Sequence, residues 1–143
     1  MLVSAIEWYI GHRMDIINQS LGVKKDLTGL REICDEATNR GIIIVSSHDE
    51  NRGLLWPGHY PSVFASASVE NGSPDQLYYN KDGEINFKAC GLSRHLEGPM
   101  QKFNLQGHSF AAAYVTSFIA QLMEMHQEKG YEEVCKLLLK KAS

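Results

Sequence analysis

Residues 41–47 read Gly-Ile-Ile-Ile-Val-Ser-Ser (GIIIVSS), an unbroken apolar run that ends in two small polar residues. A short run of consecutive β-branched residues is typical of a parallel strand that is buried on both faces. Residues 27–40 before it have apolar side chains at helical spacing, and Gly41 stops that helix. A second apolar segment, residues 62–69, follows after a loop. Helix, strand, loop and strand in this order predict an α/β domain.

The flanking segments extend the same pattern in both directions. Residues 4–12 predict a helix, and residues 15–21 (DIINQSL) predict a short apolar strand. Residues 76–80 and 84–89 flank a Lys-Asp-Gly turn and predict a β-hairpin. Two further helices are expected, over residues 109–127 and 131–141. We therefore expect one α/β domain over residues 1–143, with three layers, a central mostly parallel sheet and a β-hairpin.

Composition narrows the classes of function. The chain has 143 residues, of which 43% are hydrophobic and 22% charged, so it is not a disordered chain. The net charge is −3 and no basic run occurs, which argues against a nucleic-acid partner. No apolar stretch approaches the roughly 20 residues of a membrane span, and no basic leader precedes an apolar core. We expect a cytoplasmic protein with no membrane partner.

The spacing of the cysteines and histidines does not match a metal site. Three cysteines lie far apart in the sequence, and an odd number suits a reducing compartment. We expect small buried thiols at Cys34, Cys90 and Cys135. His12, His59, His95 and His126 are scattered without ligand spacing. We expect neither a metal nor a cofactor.

The segment with most chemical content is Gly107-His108-Ser109-Phe110 followed by three alanines. It places a serine at the start of a long apolar helix, as its first or capping residue. Backbone N–H groups at a helix N-terminus are free to stabilise a developing oxyanion, and a serine there lies close to them. Serine is also a favoured N-cap, which is the simpler interpretation.

This segment resembles the nucleophile segment of subtilisin-like serine peptidases, Gly-Thr-Ser-Met-Ala-x-Pro. Four other segments resemble parts of that family in the same order: residues 6–22, 41–47, 56–63 (WPGHYPSV) and 86–91. The resemblance spans nearly the whole chain. It implies the fold of the C-terminal half of a subtilisin-like domain, with Ser109 as the nucleophile.

The same resemblance implies an incomplete catalytic triad. The family's triad occurs in the order Asp, His, Ser, and the match here begins after the first two. The chain contains no Asp-Ser/Thr-Gly or His-Gly-Thr-His segment. Because serine is a weak nucleophile without a base, we expect the isolated chain to be inactive. A complementing chain or a missing N-terminal half would supply the aspartate and the histidine.

The oxyanion position also departs from the family. The resemblance matches the family's donor asparagine to Asp49, and an ionised carboxylate cannot donate a hydrogen bond. Asn51 is a substitute donor if the loop shifts. His48 lies on the loop expected to approach Ser109, where it is either an improvised base or an ordinary exposed loop histidine. His108 adjoins Ser109, and neighbouring residues at a helix start seldom face each other.

The resemblance is closer at the peptide-binding edge than at the oxyanion position. Backbone groups of Ser20, Leu21 and Gly22 would bind an extended peptide by strand addition. The pocket for the residue before the scissile bond would be lined by Ser46, Ser47, His48, Trp56 and Pro57. We expect a cis bond between Trp56 and Pro57, as at the matching Tyr-Pro of the family. Without the resemblance, all of these are ordinary strand-end and loop residues.

Three functions therefore remain open. The first is a segment of a serine endopeptidase that acts on peptides or proteins. The second is a non-catalytic pseudo-peptidase that binds peptides or partners, and the third is a fragment without a selected function. We also expect an open sheet edge at residues 15–21 and an uncovered face on the helix from Ser109. These would pair with a complementing chain or form a homo-oligomer.

Overall fold

The computed structural model describes residues 1–83 and 85–142, and within these ranges five strands form a single sheet. They are β1 (Ile16–Gln19), β2 (Ile43–Ser47), β3 (Phe64–Val69), β4 (Tyr78–Tyr79) and β5 (Phe87–Cys90). Their order in the sheet is β1-β2-β3-β5-β4. The first three strands and β5 run parallel, and β4 is antiparallel to β5. The predicted mostly parallel sheet with a hairpin is confirmed.

Four helices cover the two faces of the sheet and complete a three-layer α/β fold. They are α1 (Leu2–Gly11), α2 (Thr28–Asn39), α3 (His108–His126) and α4 (Tyr131–Lys141). Two short 3₁₀ helices, Glu50–Arg52 and Gly98–Phe103, lie in the loops. Strand β2 is buried at every position, because alternate side chains enter different cores. Ile43 and Val45 pack with α3 and α4, whereas Ile44 packs with α1 and α2.

The ends of the elements differ from the sequence prediction by a few residues. Strand β1 is shorter than the predicted strand over residues 15–21, so residues 20–22 form a loop beyond its carboxyl end. The first hairpin strand is only two residues long. Of the predicted second hairpin strand, residue 84 lies outside the described residues. Helix α3 starts at His108, one residue earlier than expected, because Gly107 rather than Ser109 is its N-cap.

Helix α3 lies against the sheet but is not buried all round. Its buried side consists of Ala111, Ala112, Val115, Phe118 and Ile119. Ser109, Ala113 and Ala120 are exposed on the opposite side. At the edge of the sheet, β1 pairs with β2 alone among the described strands. An open edge and an uncovered helix face are therefore present, as predicted.

The thiols are mostly buried. Cys34 and Cys90 are buried and Cys135 is half-buried, and all three are free. Within the described part of the chain, no helix has both the length and the apolar character needed to cross a membrane.

Candidate active site

Ser109 is exposed and occupies the first turn of α3, as its second residue. Gly107 ties this helix start to the sheet, because its N–H donates to the carbonyl of Gly91, just after β5, at 2.9 Å. The helix N-terminus therefore lies where the parallel strands end, which is where sites in open α/β sheets form. The predicted placement of Ser109 at the carboxyl ends of the strands is confirmed, with the one-residue difference in the helix start.

A small cavity of about 150 Å³ opens beside Ser109, and we call it the Ser109 cavity. Six of its lining residues were expected from the sequence: Ser20, Gly22, Ser47, His48, Asp49 and Ser109. Three more were not expected: Arg52, Leu55 and His108. The predicted peptide-binding edge, the oxyanion position and the serine are thus brought together.

The other predicted pocket residues lie outside the lining of this cavity. Leu21 is exposed, and its carbonyl accepts a hydrogen bond from the Gln19 amide at 2.6 Å. Ser46 is buried, and its hydroxyl donates to the Ser47 carbonyl at 3.4 Å. Trp56 exchanges two backbone hydrogen bonds with Val23, which holds the 55–57 loop beside the 20–22 loop. The Trp56–Pro57 bond is cis, as predicted.

Asp49 occupies the predicted oxyanion position as a partly exposed carboxylate. Its Oδ1 accepts the backbone N–H of Asn51 at 3.0 Å and lies 3.6 Å from His108 Nε2. Asn51 therefore holds Asp49 in place through its backbone. Its side chain is not among those that line the cavity, so the suggestion that Asn51 replaces the missing donor finds no support in this geometry.

His108 is turned away from its neighbour Ser109. Its Nδ1 lies 3.1 Å from the backbone nitrogen of Ser68 and 3.2 Å from the Ser68 hydroxyl. Since a backbone N–H can only donate, Nδ1 must be the accepting nitrogen, and the proton of the neutral ring resides on Nε2, which faces Asp49. No local motif marks Ser68 in the sequence, since its contact with His108 spans 40 residues.

His48 is not an exposed loop histidine. Only 2% of it is accessible, because its ring packs beside Gly58, where a Cβ would lie 3.3 Å from His48 Nδ1. His48 therefore lines the Ser109 cavity as a buried residue with contacts of its own.

Ser109 thus lies in the first turn of a helix, beside a polar cavity at the ends of parallel strands of an α/β fold. The family model described as the subtilase family matches residues 1–143. The chain belongs to the subtilase family, which is a family of subtilisin-like serine peptidases.

Several subtilisin-like proteases are similar in sequence. The chain is 26% identical to subtilisin E of Bacillus subtilis over 132 residues, which cover 87% of the chain and 35% of that protein. It is 26% identical to subtilisin DY of Bacillus licheniformis, covering 93% of the chain and 51% of the relative. The major intracellular serine protease of Bacillus subtilis is 27% identical, with coverages of 92% and 43%. The chain thus spans from about a third to half the length of these relatives.

Solved structures show the same fold. The patellamide maturation protease PatG superposes with a TM-score of 0.72 at 20% identity, covering 99% of this chain and 47% of that one. Fervidolysin from Fervidobacterium pennivorans superposes with a TM-score of 0.66 at 21% identity, covering 88% and 22%. The subtilisin-like α/β fold is confirmed.

Proposed function

We propose that this chain is the nucleophile-bearing segment of a subtilisin-like serine endopeptidase that acts on peptides or proteins. One observation carries the proposal: Ser109 shares its cavity with Ser20, Gly22 and Asp49, in a chain that belongs to the subtilase family. An extended peptide would lie along the 20–22 loop, and its carbonyl carbon would face the Ser109 hydroxyl.

The isolated chain lacks two elements that peptide hydrolysis needs. Attack by Ser109 requires a base that removes the hydroxyl proton, and the chain has neither of the family's segments that carry the triad aspartate and histidine. The carboxylate of Asp49 also repels a developing oxyanion. Activity therefore depends on a histidine and an aspartate that come from a complementing chain or from a longer gene product.

A second candidate function is that of a pseudo-peptidase that binds peptides without cleaving them. The observation that favours it is Asp49, whose Oδ1 is held at the oxyanion position by the Asn51 N–H. A neutral amide would stabilise the oxyanion there, whereas this carboxylate raises the energy of the transition state relative to bound substrate. Peptide binding would survive this change and catalysis would not.

Turnover and binding assays on the pure chain test what the two candidates share. We expect no peptide cleavage that disappears in Ser109→Ala, together with measurable binding of a fluorescent extended peptide. Gly22→Ala should weaken that binding several-fold, since the added Cβ meets Leu55 Cβ at 3.2 Å in the wall of the cavity. Gly29→Ala is the matched control, because a Cβ there meets nothing within 4 Å. Absence of peptide binding would contradict both candidates.

A second experiment separates the two candidates. Extracts of cells that naturally produce the chain are treated with a fluorophosphonate, which modifies activated serines, and the modified residues are mapped by mass spectrometry. Modification of Ser109 in the extract but not in the pure chain supports a complemented peptidase. Failure to modify Ser109 in both supports the pseudo-peptidase.

A further inference from the structure

The space beside Ser109 is small, and the imidazole of His48 closes one side of it. Pockets that hold a drug-sized ligand measure about 300–1,000 Å³, whereas the Ser109 cavity measures about 150 Å³. His48 belongs to the lining of this cavity, yet only 2% of the residue is accessible. The ring therefore forms part of a packed wall. A bound peptide has room beside Ser109 for a small side chain only.

The ring of His48 lies between two segments of the chain. A Cβ placed on Gly58 would lie 3.3 Å from His48 Nδ1 and 3.7 Å from the Ser46 hydroxyl oxygen. These groups converge on one point, so the ring lies where the end of β2 meets the loop of residues 55–58. The same two segments are the walls expected for the pocket that takes the residue before the scissile bond. The imidazole thus occupies space that a substrate side chain would need.

Hydrogen bonds hold both walls in place. At the end of β2, the His48 N–H donates to the Ser66 carbonyl in β3 at 2.8 Å. In the loop, Trp56 and Val23 exchange two backbone hydrogen bonds, at 2.8 and 2.9 Å. Widening of the pocket would break these bonds, and each buried group left without a partner is costly. A bound peptide therefore meets the His48 ring in the position described.

From this packing we infer that His48 determines specificity, because its ring restricts the residue before the scissile bond to glycine or alanine. The inference rests on the proposed function, since it requires a peptide that binds with a carbonyl facing Ser109. A larger side chain at that position would overlap the ring, and overfilling a packed space is destabilising. His48 thus selects substrates by excluding bulky side chains. It acts through the volume of its ring rather than through proton transfer.

Two matched peptides test this restriction without any need for cleavage. Both are fluorescent hexapeptides of leucine and glutamine, and one of them carries a single alanine in the middle. The bulky peptide offers no residue that fits beside His48 in any register, whereas the alanine peptide offers one. Fluorescence anisotropy with the pure chain measures both affinities. We expect the alanine peptide to bind about 10-fold more tightly or better.

Variants of His48 separate the volume of the ring from its chemistry. His48→Ala removes the ring and should abolish the difference between the two peptides. His48→Leu keeps a similar volume without a titratable nitrogen and should retain the difference. His126→Ala, at the exposed last residue of α3, is the matched control and should behave like the parent chain. Circular dichroism spectra that match the parent chain show that the variants fold. If His48→Ala does not fold, the parent chain and His48→Leu still decide.

The outcomes distinguish this inference from the proposed function. Equal binding of both peptides to the parent chain would overturn the inference and leave the proposed function in place. A difference that persists in folded His48→Ala, or that is lost in folded His48→Leu, would do the same. Binding of neither peptide to the parent chain would overturn both.

Discussion

The Ser109 cavity is lined by His48 and His108, whereas a cavity of about 550 Å³ beside Ser68 and Gly91, the Ser68 cavity, has no histidine in its lining. Ser109 stands at a helix start that resembles a known nucleophile segment, and the Nδ1 of its neighbour His108 lies against Ser68. Ser68 lies in an ordinary strand, yet its hydroxyl meets the accepting nitrogen of His108. The ring of His108 separates the two environments, because Nδ1 is directed at β3 and Nε2 at Asp49.

This difference shows that a sequence motif and the contacts of the neighbouring histidine are separate properties. A motif fixes the local backbone, and here it places Ser109 in the first turn of α3. Which serine the His108 ring contacts depends on the direction of that ring, and the Ser68 backbone N–H in β3 fixes it. Substitutions that disturb one cavity and leave the other unchanged test whether the two cavities are independent.

The largest effect should come from Phe64→Ala, which removes the support that both cavities share. Phe64 is 1% exposed, stacks on Tyr131 at 4.5 Å between ring centroids and begins the strand that carries Ser68. Loss of this buried ring should lower the free energy of unfolding by about 3–5 kcal/mol. Urea denaturation measures it, with Phe103→Ala at a 69% exposed position as the control, expected within about 0.5 kcal/mol of the parent. A loss below about 1 kcal/mol would contradict the shared core.

The fold was largely predictable because its signals are local. The GIIIVSS run predicted β2, and helical spacing predicted α2 to within a residue or two of each end. Strand β1 was predicted too long, since its apolar pattern continues past the last residue that pairs with β2. The helix start at His108 was missed by one residue, because both glycine and serine are acceptable N-caps.

The site was predictable only in part. Six expected residues line the Ser109 cavity, because the resemblance carries their positions along the chain. The burial of His48 and the contact between His108 and Ser68 were missed. Both depend on tertiary packing: Gly58 lies against His48 across a loop, and His108 meets Ser68 across 40 residues of sequence. No periodicity or motif encodes such contacts.

A smaller effect should follow from Gly91→Ala, which adds a methyl group to the wall of the Ser68 cavity. The new Cβ would lie 2.5 Å from Ser68 Cβ, so β3 or β5 must shift, at a typical cost of about 1–3 kcal/mol. Gly29→Ala, with open space around its Cβ, should instead be neutral or stabilising by up to about 1 kcal/mol. Thermal unfolding of both variants measures the difference. Equal stabilities would mean that the close approach of residues 68 and 91 is absent in solution.

The buried thiol of Cys34 should make the stability of the fold depend on pH in the alkaline range. Burial, with a smaller contribution from Asp35, raises the pKa of its thiol from 9.0 to about 12. Stability from the protonated thiol is therefore complete below pH 9 and is lost as the pH rises towards 12, because the unfolded chain ionises first. Between pH 9 and pH 12, the free energy of unfolding should fall less steeply with pH in Cys34→Ala than in the parent chain. The two slopes should differ by up to about 1.4 kcal/mol per pH unit. Denaturation at several pH values measures the slopes, and parallel slopes would contradict the pKa shift.

The same thiol reports on opening of the fold at neutral pH. Cys34 is fully buried, whereas Cys135 is half-buried, so a thiol reagent should modify Cys135 first. If the fluorophosphonate adduct forms while Cys34 remains unmodified, the adduct belongs to the native structure. Modification of Cys34 at the rate of adduct formation would show that the serine reacts only after unfolding.

The smallest effect should come from Asn104→Ala, which loosens the wall of the Ser68 cavity alone. Its Oδ1 accepts from the Ser93 hydroxyl at 2.7 Å, and its Nδ2 donates to the Arg94 carbonyl at 2.5 Å and to Gln101 at 3.3 Å. Because Asn104 is half-buried, water replaces part of what is lost, and the cost should be about 1 kcal/mol. Asn18→Ala, at an exposed position of β1, should change stability by less than about 0.5 kcal/mol.

Hydrogen exchange shows whether the loosening in Asn104→Ala stays local. Amides of residues 93–106 should exchange faster, since Asn104 no longer holds Gln101 in the cavity wall. Peptide binding at the Ser109 cavity should not change, because the Gly107 N–H still holds the start of α3 to Gly91. If peptide binding declines while these amides exchange faster, the two cavities respond as one unit. The separation of the cavities by the His108 ring would then be wrong.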